Sequence, residues 1–347
     1  MTRLILCSTL AAVLLAPGSA QTAETAASGA SASEVRLSRA LTVLKGSSIL
    51  IEHAASVGHI DDLSPEVSRS RSRTVVGSLL AQVTKKFSLA LQFGAVQELT
   101  PTDTTRPLEI LFDDLHLDGS YSLPSPKEGP LTWAVGLGID VPTSKASQSA
   151  SLVLALRPTV GVTLTAPVLD GLSFTYGLSP SPRIHRYTTA STLVPYPCSP
   201  AAGCESGTTT DFGARNTAMR VAQDFSFSIS ALAERLSVTA SLELAYSKRY
   251  GKSVSPRWSE AVLSNEANAG GDPVLLTSTF VLDASFVVQE TVGLSLGLWT
   301  PGGLSPTGSY YNPAFNRHSQ VYFDLTFYPI DGWLRRRKLA GKVEVAE

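Results

Sequence analysis

The chain has 347 residues and a formal net charge of −1, with 28 Lys and Arg against 29 Asp and Glu. That balance gives no electrostatic reason to expect nucleic acid as a partner. Charged residues are only 16% of the chain, low for a soluble domain, and after the N-terminus no run of about 18 apolar residues occurs, which excludes a helical membrane protein.

Met1 to Ala20 reads as a signal peptide. Arg3 supplies the positive n-region, Leu4 to Leu15 the apolar h-region, and Gly18-Ser19-Ala20 the small residues at a cleavage site. Cys7 lies inside the h-region and not at its end, which argues against a lipoprotein. Residues 21–39 begin as an Ala/Ser/Thr/Gly tract and form a flexible N-terminal segment. From Glu34 to Ala55 the pattern is ambiguous: Leu37, Leu41 and Leu44 have helical spacing, while Ser47 to Ala54 can hold a strand.

A period-two pattern starts at Thr74 and recurs about eleven times. Thr74 to Thr84 is followed by a Lys85-Lys86 turn and by the clearest copy, in which Phe87, Leu89, Leu91, Phe93 and Ala95 alternate with Ser88, Ala90, Gln92 and Gly94. Alternate side chains of a strand point to opposite faces, so this strand has one apolar face and one small or polar face. Further copies begin at Leu115, Leu131, Leu152 and Leu172, then at Val221, Leu236, Phe280, Val292 and Val321. Pro158 removes a ladder hydrogen bond, so the Leu152 strand is expected to be bulged or irregular there.

Connections alternate in length. Short ones fall at Lys85-Lys86, Pro124 to Pro130, Pro167 to Gly171, Glu234-Arg235 and Gln289 to Thr291. Long ones fall at Thr100 to Arg106, Thr188 to Asn216, Lys248 to Asp272 and Pro301 to Arg317, with Pro142 to Gln148 intermediate. Short turns on the periplasmic side and long loops outside mark a transmembrane antiparallel up-and-down β-barrel. The Thr74 strand then runs downward and needs an upward partner before it. Adding a hidden strand at Ser47 to Ala54 makes twelve, an even number; ten strands with an N-terminal plug is the second count. A secreted β-sandwich also alternates. Its polar face, however, meets bulk water and carries Lys, Glu and Arg, whereas here that face is mostly Ser, Thr, Gly and Ala. The barrel takes residues 40–328, and a periplasmic basic tail with Arg335 to Lys338 takes 329–347.

From Thr74 to Tyr328 the chain resembles the bacterial outer-membrane β-barrel class, as architecture and not as a family motif. The final Val321, Phe323, Leu325 and Phe327 match the aromatic-ended strand common in that class, although 20 residues follow. The resemblance implies a place in the bacterial outer membrane, with its lipid and its assembly machinery as partners.

Strand parity places ten charged or ionisable residues on the inner face as lumen-lining candidates: Asp114, His116, Asp118, Asp140, Arg157, Arg220, Asp224, Glu243, Asp283 and Asp324. Asp114, His116 and Asp118 are spaced by two, and flanking carboxylates favour a charged imidazole. Collinear strand residues rarely converge on one ion, so no metal site is expected. The histidines His53, His59, His116, His185 and His318 form no Ser-His-Asp pattern, and no catalytic residue is assigned. Cys198 and Cys204, an even pair in an exported chain, read as a disulfide. The expected function is an outer-membrane channel or facilitator for small solutes, of unknown identity and with no cofactor. A non-transporting barrel that displays long loops is the alternative, and an outer-membrane hydrolase the third.

Overall fold

The computed structural model describes residues 43–57, 71–100, 108–124, 129–167, 171–188, 192–193, 209–210, 215–250, 274–289, 291–303, 312–316 and 318–334. The leader, residues 21–39, the Cys198/Cys204 pair and the Arg335 to Lys338 cluster lie outside them.

In chain order the strands are β1 (Ser48–Ser56), β2 (Arg71–Gln82), β3 (Phe87–Glu98), β4 (Ile110–Phe112), β5 (Leu115–Ser122), β6 (Leu131–Val141), β7 (Leu152–Ala166) and β8 (Gly171–His185). They continue with β9 (Thr192–Leu193), β10 (Thr209–Thr210), β11 (Thr217–Ala231), β12 (Leu236–Arg249), β13 (Val274–Gln289), β14 (Val292–Gly303) and β15 (Gln320–Phe327). Twelve close a ring in the order β2-β1-β15-β14-β13-β12-β11-β8-β7-β6-β5-β3, and β3 pairs back onto β2. The short β4 extends the sheet beside the upper part of β3, while β9 and β10 pair only with each other. The strand expected at Ser47 to Ala54 exists as β1 and closes the ring: Glu52 lies opposite Asp324 of β15 on one side and Thr74 of β2 on the other.

Followed once around, the registers return to β1 displaced by about 16 residues, which tilts the strands by about 45°. Twelve strands about 4.8 Å apart at that tilt give a backbone radius of about 12 Å. Inward side chains consume much of this, so the enclosed space is narrow.

The apolar parity points outward. Phe93 and Leu137 are each 50% exposed and Leu296 is 59% exposed. A water-soluble fold would bury such a belt, whereas lipid does not penalise it. Hydroxyls pair across strands on the inner face, as in Ser88 with Ser120 (2.8 Å) and Ser237 with Ser285 (2.7 Å). Aromatic rings cover glycines on both faces. A Cβ on Gly77 would stand 2.3 Å from the Phe93 ring outside, and one on Gly297 would stand 2.2 Å from the Tyr322 ring inside.

The irregularity expected at Pro158 is present: the β7–β8 pairing lapses between Ala155 and Val160 and resumes in the same register, with Pro158, Pro180 and Pro182, none of which carries an N–H, in the gap; a separate register shift falls at Leu152/Leu154. The Pro142 to Gln148 connection contains a short helix, α1 (Lys145–Ser149), capped by the Ser144 side chain, which accepts from Ser147 N. At the short-turn end, Tyr328 N donates to Thr291 O (2.9 Å), and a helical turn over 329–334 brings Asp331 Oδ2 to Gly46 N (3.2 Å). The beginning and end of the barrel are thereby joined beside its closing seam.

Candidate lumen site

The inward charged residues fall into two groups on opposite walls. The first spans β5, β6 and β7. Asp118, Gly138 and Arg157 lie in one row across these three strands. Arg157 Nη2 donates to Asp118 Oδ1 (2.8 Å) and lies 3.4 Å from Asp140 Oδ1. Gly138 makes room for this: a Cβ there would meet Asp118 Oδ1 at 2.5 Å and Arg157 Nε at 2.8 Å. His116 Nδ1 is 2.7 Å from the same Asp140 oxygen, so one carboxylate receives both an imidazole and a guanidinium.

The wall continues through β8, β11 and β12. Arg220 Nη2 donates to Glu243 Oε1 in a close ion pair. Asp224 lies directly opposite Glu243 on the neighbouring strand and beside Gly177 of β8. Arg183 adds a third guanidinium; its Nε is buried without a hydrogen-bond partner.

The Asp114, His116, Asp118 run therefore divides. Asp114 leaves its neighbours to hold α1, accepting from Ser144 N (2.8 Å) and from the Ser147 hydroxyl. His116 turns to Asp140 and Asp118 to Arg157. Three residues on one strand face need not share a site, because the cross-strand neighbour is nearer than the residue two positions along.

The second group lies on β1, β13 and β15. Glu52 is 9% exposed and accepts only the Thr74 hydroxyl, at 3.3 Å. Asp324, opposite it, is 7% exposed, and its Oδ1 has no partner among the described residues. Asp283 accepts from the Tyr322 hydroxyl (3.0 Å). Tyr322 also packs with Ala54, Val281 and Trp299 into an apolar cluster on the same inner wall. Among the described residues, none of these three carboxylates pairs with Lys or Arg.

In the twelve-membered ring β7 lies six strands from β15, and β8 six from β1, so the two groups face each other across the lumen. With about 3.3 Å per residue along the strands and about 4.8 Å between them, Arg157 and Glu52 come within about 5 Å of the same height. Glu52, Thr74, Gly138, Arg183 and Tyr322 are missing from the sequence-based set. Parity marks Tyr322 once β15 is placed, because it shares a face with Asp324; Arg183 requires β8 to run on past Leu178.

No family model and no curated protein sequence matches the chain. Among solved structures it is similar to the KdgM porin, at 8% identity over 81% of this chain and 98% of that one, with a TM-score of 0.41. The NanC porin is 9% identical over 81% and 98%, with a TM-score of 0.44. An outer membrane channel from Pseudomonas putida F1 is 12% identical over 82% and 95%, with a TM-score of 0.46. The architecture rests on the strand registers themselves. A closed, antiparallel, twelve-strand ring with an apolar outside and a polar inside is a bacterial outer-membrane β-barrel.

Proposed function

We propose that the barrel is a narrow channel for small polar solutes, with its selective zone at the belt where the two charged walls face each other. The observation that carries this reading is their asymmetry: paired Arg and carboxylate groups on β5 to β12 against unpaired carboxylates on β1, β13 and β15. Unequal charge across the lumen, a largely charge-paired wall facing an acidic one, sets up a transverse field. That field orients dipolar solutes and slows apolar ones, which lose hydration without gaining contacts. Asp140, Arg157, Arg220, Asp224, Glu243, Asp283 and Asp324 line this zone, with His116 and Asp118 beside them.

Purified protein in liposomes should admit small uncharged polyols and exclude larger sugars in a swelling assay. In planar bilayers it should show a small, steady conductance. The Tyr322, Trp299, Ala54 and Val281 cluster, which thickens one wall, favours a second reading as a closed, loop-displaying barrel. A correctly inserted protein without conductance or swelling would sink the channel reading in favour of that one.

A further inference from the structure

We infer that the inner face of β1 and β15 holds a binding site for a singly charged cation, formed by the cross-strand pair Glu52 and Asp324. This deepens the channel reading and rests on it for its role in selectivity, but not for the binding itself.

Three observations lead to it. First, Glu52 and Asp324 are direct cross-strand partners with the same charge, the arrangement that destabilises a sheet when nothing lies between. Second, the Asp324 carboxylate is nearly inaccessible, and its Oδ1 has no donor. A buried carboxylate oxygen without a partner is costly, so a native barrel that retains one supplies what satisfies it. Third, among the described residues no neighbouring side chain supplies it. In the row of Asp324 the inner positions on β14 and β2 are Ser295 and Thr74; in the next row they are Gly297 and Ser72. Among the described residues no Lys or Arg pairs with these carboxylates, which leaves a cation from solution to balance them.

The geometry also selects the kind of cation. Among the described residues, no three Asp, Glu, His or Cys come close enough to chelate a metal ion. Asp283 lies two strands away, across β14 from Tyr322, and is already engaged by the Tyr322 hydroxyl. Carboxylates this dispersed suit a weakly held alkali ion or the ammonium head of a small amine, which needs few ligands and exchanges fast enough to pass through.

The test separates binding from transport. Crystals of the full chain grown with thallium(I) should give an anomalous peak between Glu52 and Asp324, reduced by butylammonium competition and lost in Asp324→Asn. Glu52→Gln is the second variant if Asp324→Asn inserts poorly, and it should also remove the peak. In a salt gradient the wild type should show a reversal potential of cation-selective sign, reduced at least twofold in either variant. If wild-type protein binds thallium there but does not conduct, the site stands and the channel reading falls. If it conducts but shows no peak, the site is wrong; a carboxyl pair sharing a proton gives that result. A peak that survives both substitutions also overturns the assignment.

Discussion

The wall made by β5 to β12 and the wall made by β13, β14, β15 and β1 solve the same problem in opposite ways. Each must put ionisable side chains into a confined space. The first brings Arg157 and Arg220 against carboxylates, and Gly138 clears the path between Arg157 and Asp118. The second gathers carboxylates, offers them hydroxyls from Thr74 and Tyr322, and leaves one oxygen without a donor. The contrast teaches that a charge-paired wall is built for stability, whereas a wall left unpaired at a cost keeps something free to act.

The contrast can be broken most sharply from outside. Leu137 lies on β6 behind the paired wall, Leu296 on β14 behind the acidic one, and both are exposed at about the same height. Leu137→Arg and Leu296→Arg should each cost about 2–4 kcal/mol in urea unfolding from lipid vesicles. A large loss at one and none at the other would mean that only one wall faces lipid.

Inside, the two walls should respond with opposite sign. Arg157→Ala strands Asp118 and leaves Asp140 with His116 alone, and should destabilise by about 1–3 kcal/mol in the same assay. Asp324→Asn removes an unpaired charge opposite Glu52 and should stabilise by about 1 kcal/mol at low concentrations of any binding cation. Losses of similar size in both variants would show that the acidic wall has a partner of its own.

The smallest effect concerns the short turn of the paired wall. Leu232, Ala233 and Glu234 take φ values of 55°, 55° and 63°, a left-handed run that side chains disfavour. Ala233→Gly should raise stability by about 0.5 kcal/mol, seen as a small upward shift of the urea midpoint, because relief of the left-handed conformation exceeds glycine's entropic cost.

The sequence by itself determined the architecture. Strand parity repeats every two residues, survives from Thr74 to Phe327, and needs only local side-chain direction to be read. The alternation of turns and loops supplied the twelfth strand: a barrel cannot begin with a downward strand, and β1 lies where that logic puts it. Parity also named the inward charges, but it is blind to which strand lies beside which and at what stagger. Only the registers bring Arg157 across Gly138 to Asp118, turn Asp114 away to hold Ser144 and Ser147 at the start of α1, and set Glu52 against Asp324. These partners are separated by 39 residues in one case and by most of the chain in another, and no local pattern carries a shear of about 16 residues. The division into a paired and an unpaired wall belongs to the closure of the ring, because only closure decides which residues face each other across the lumen.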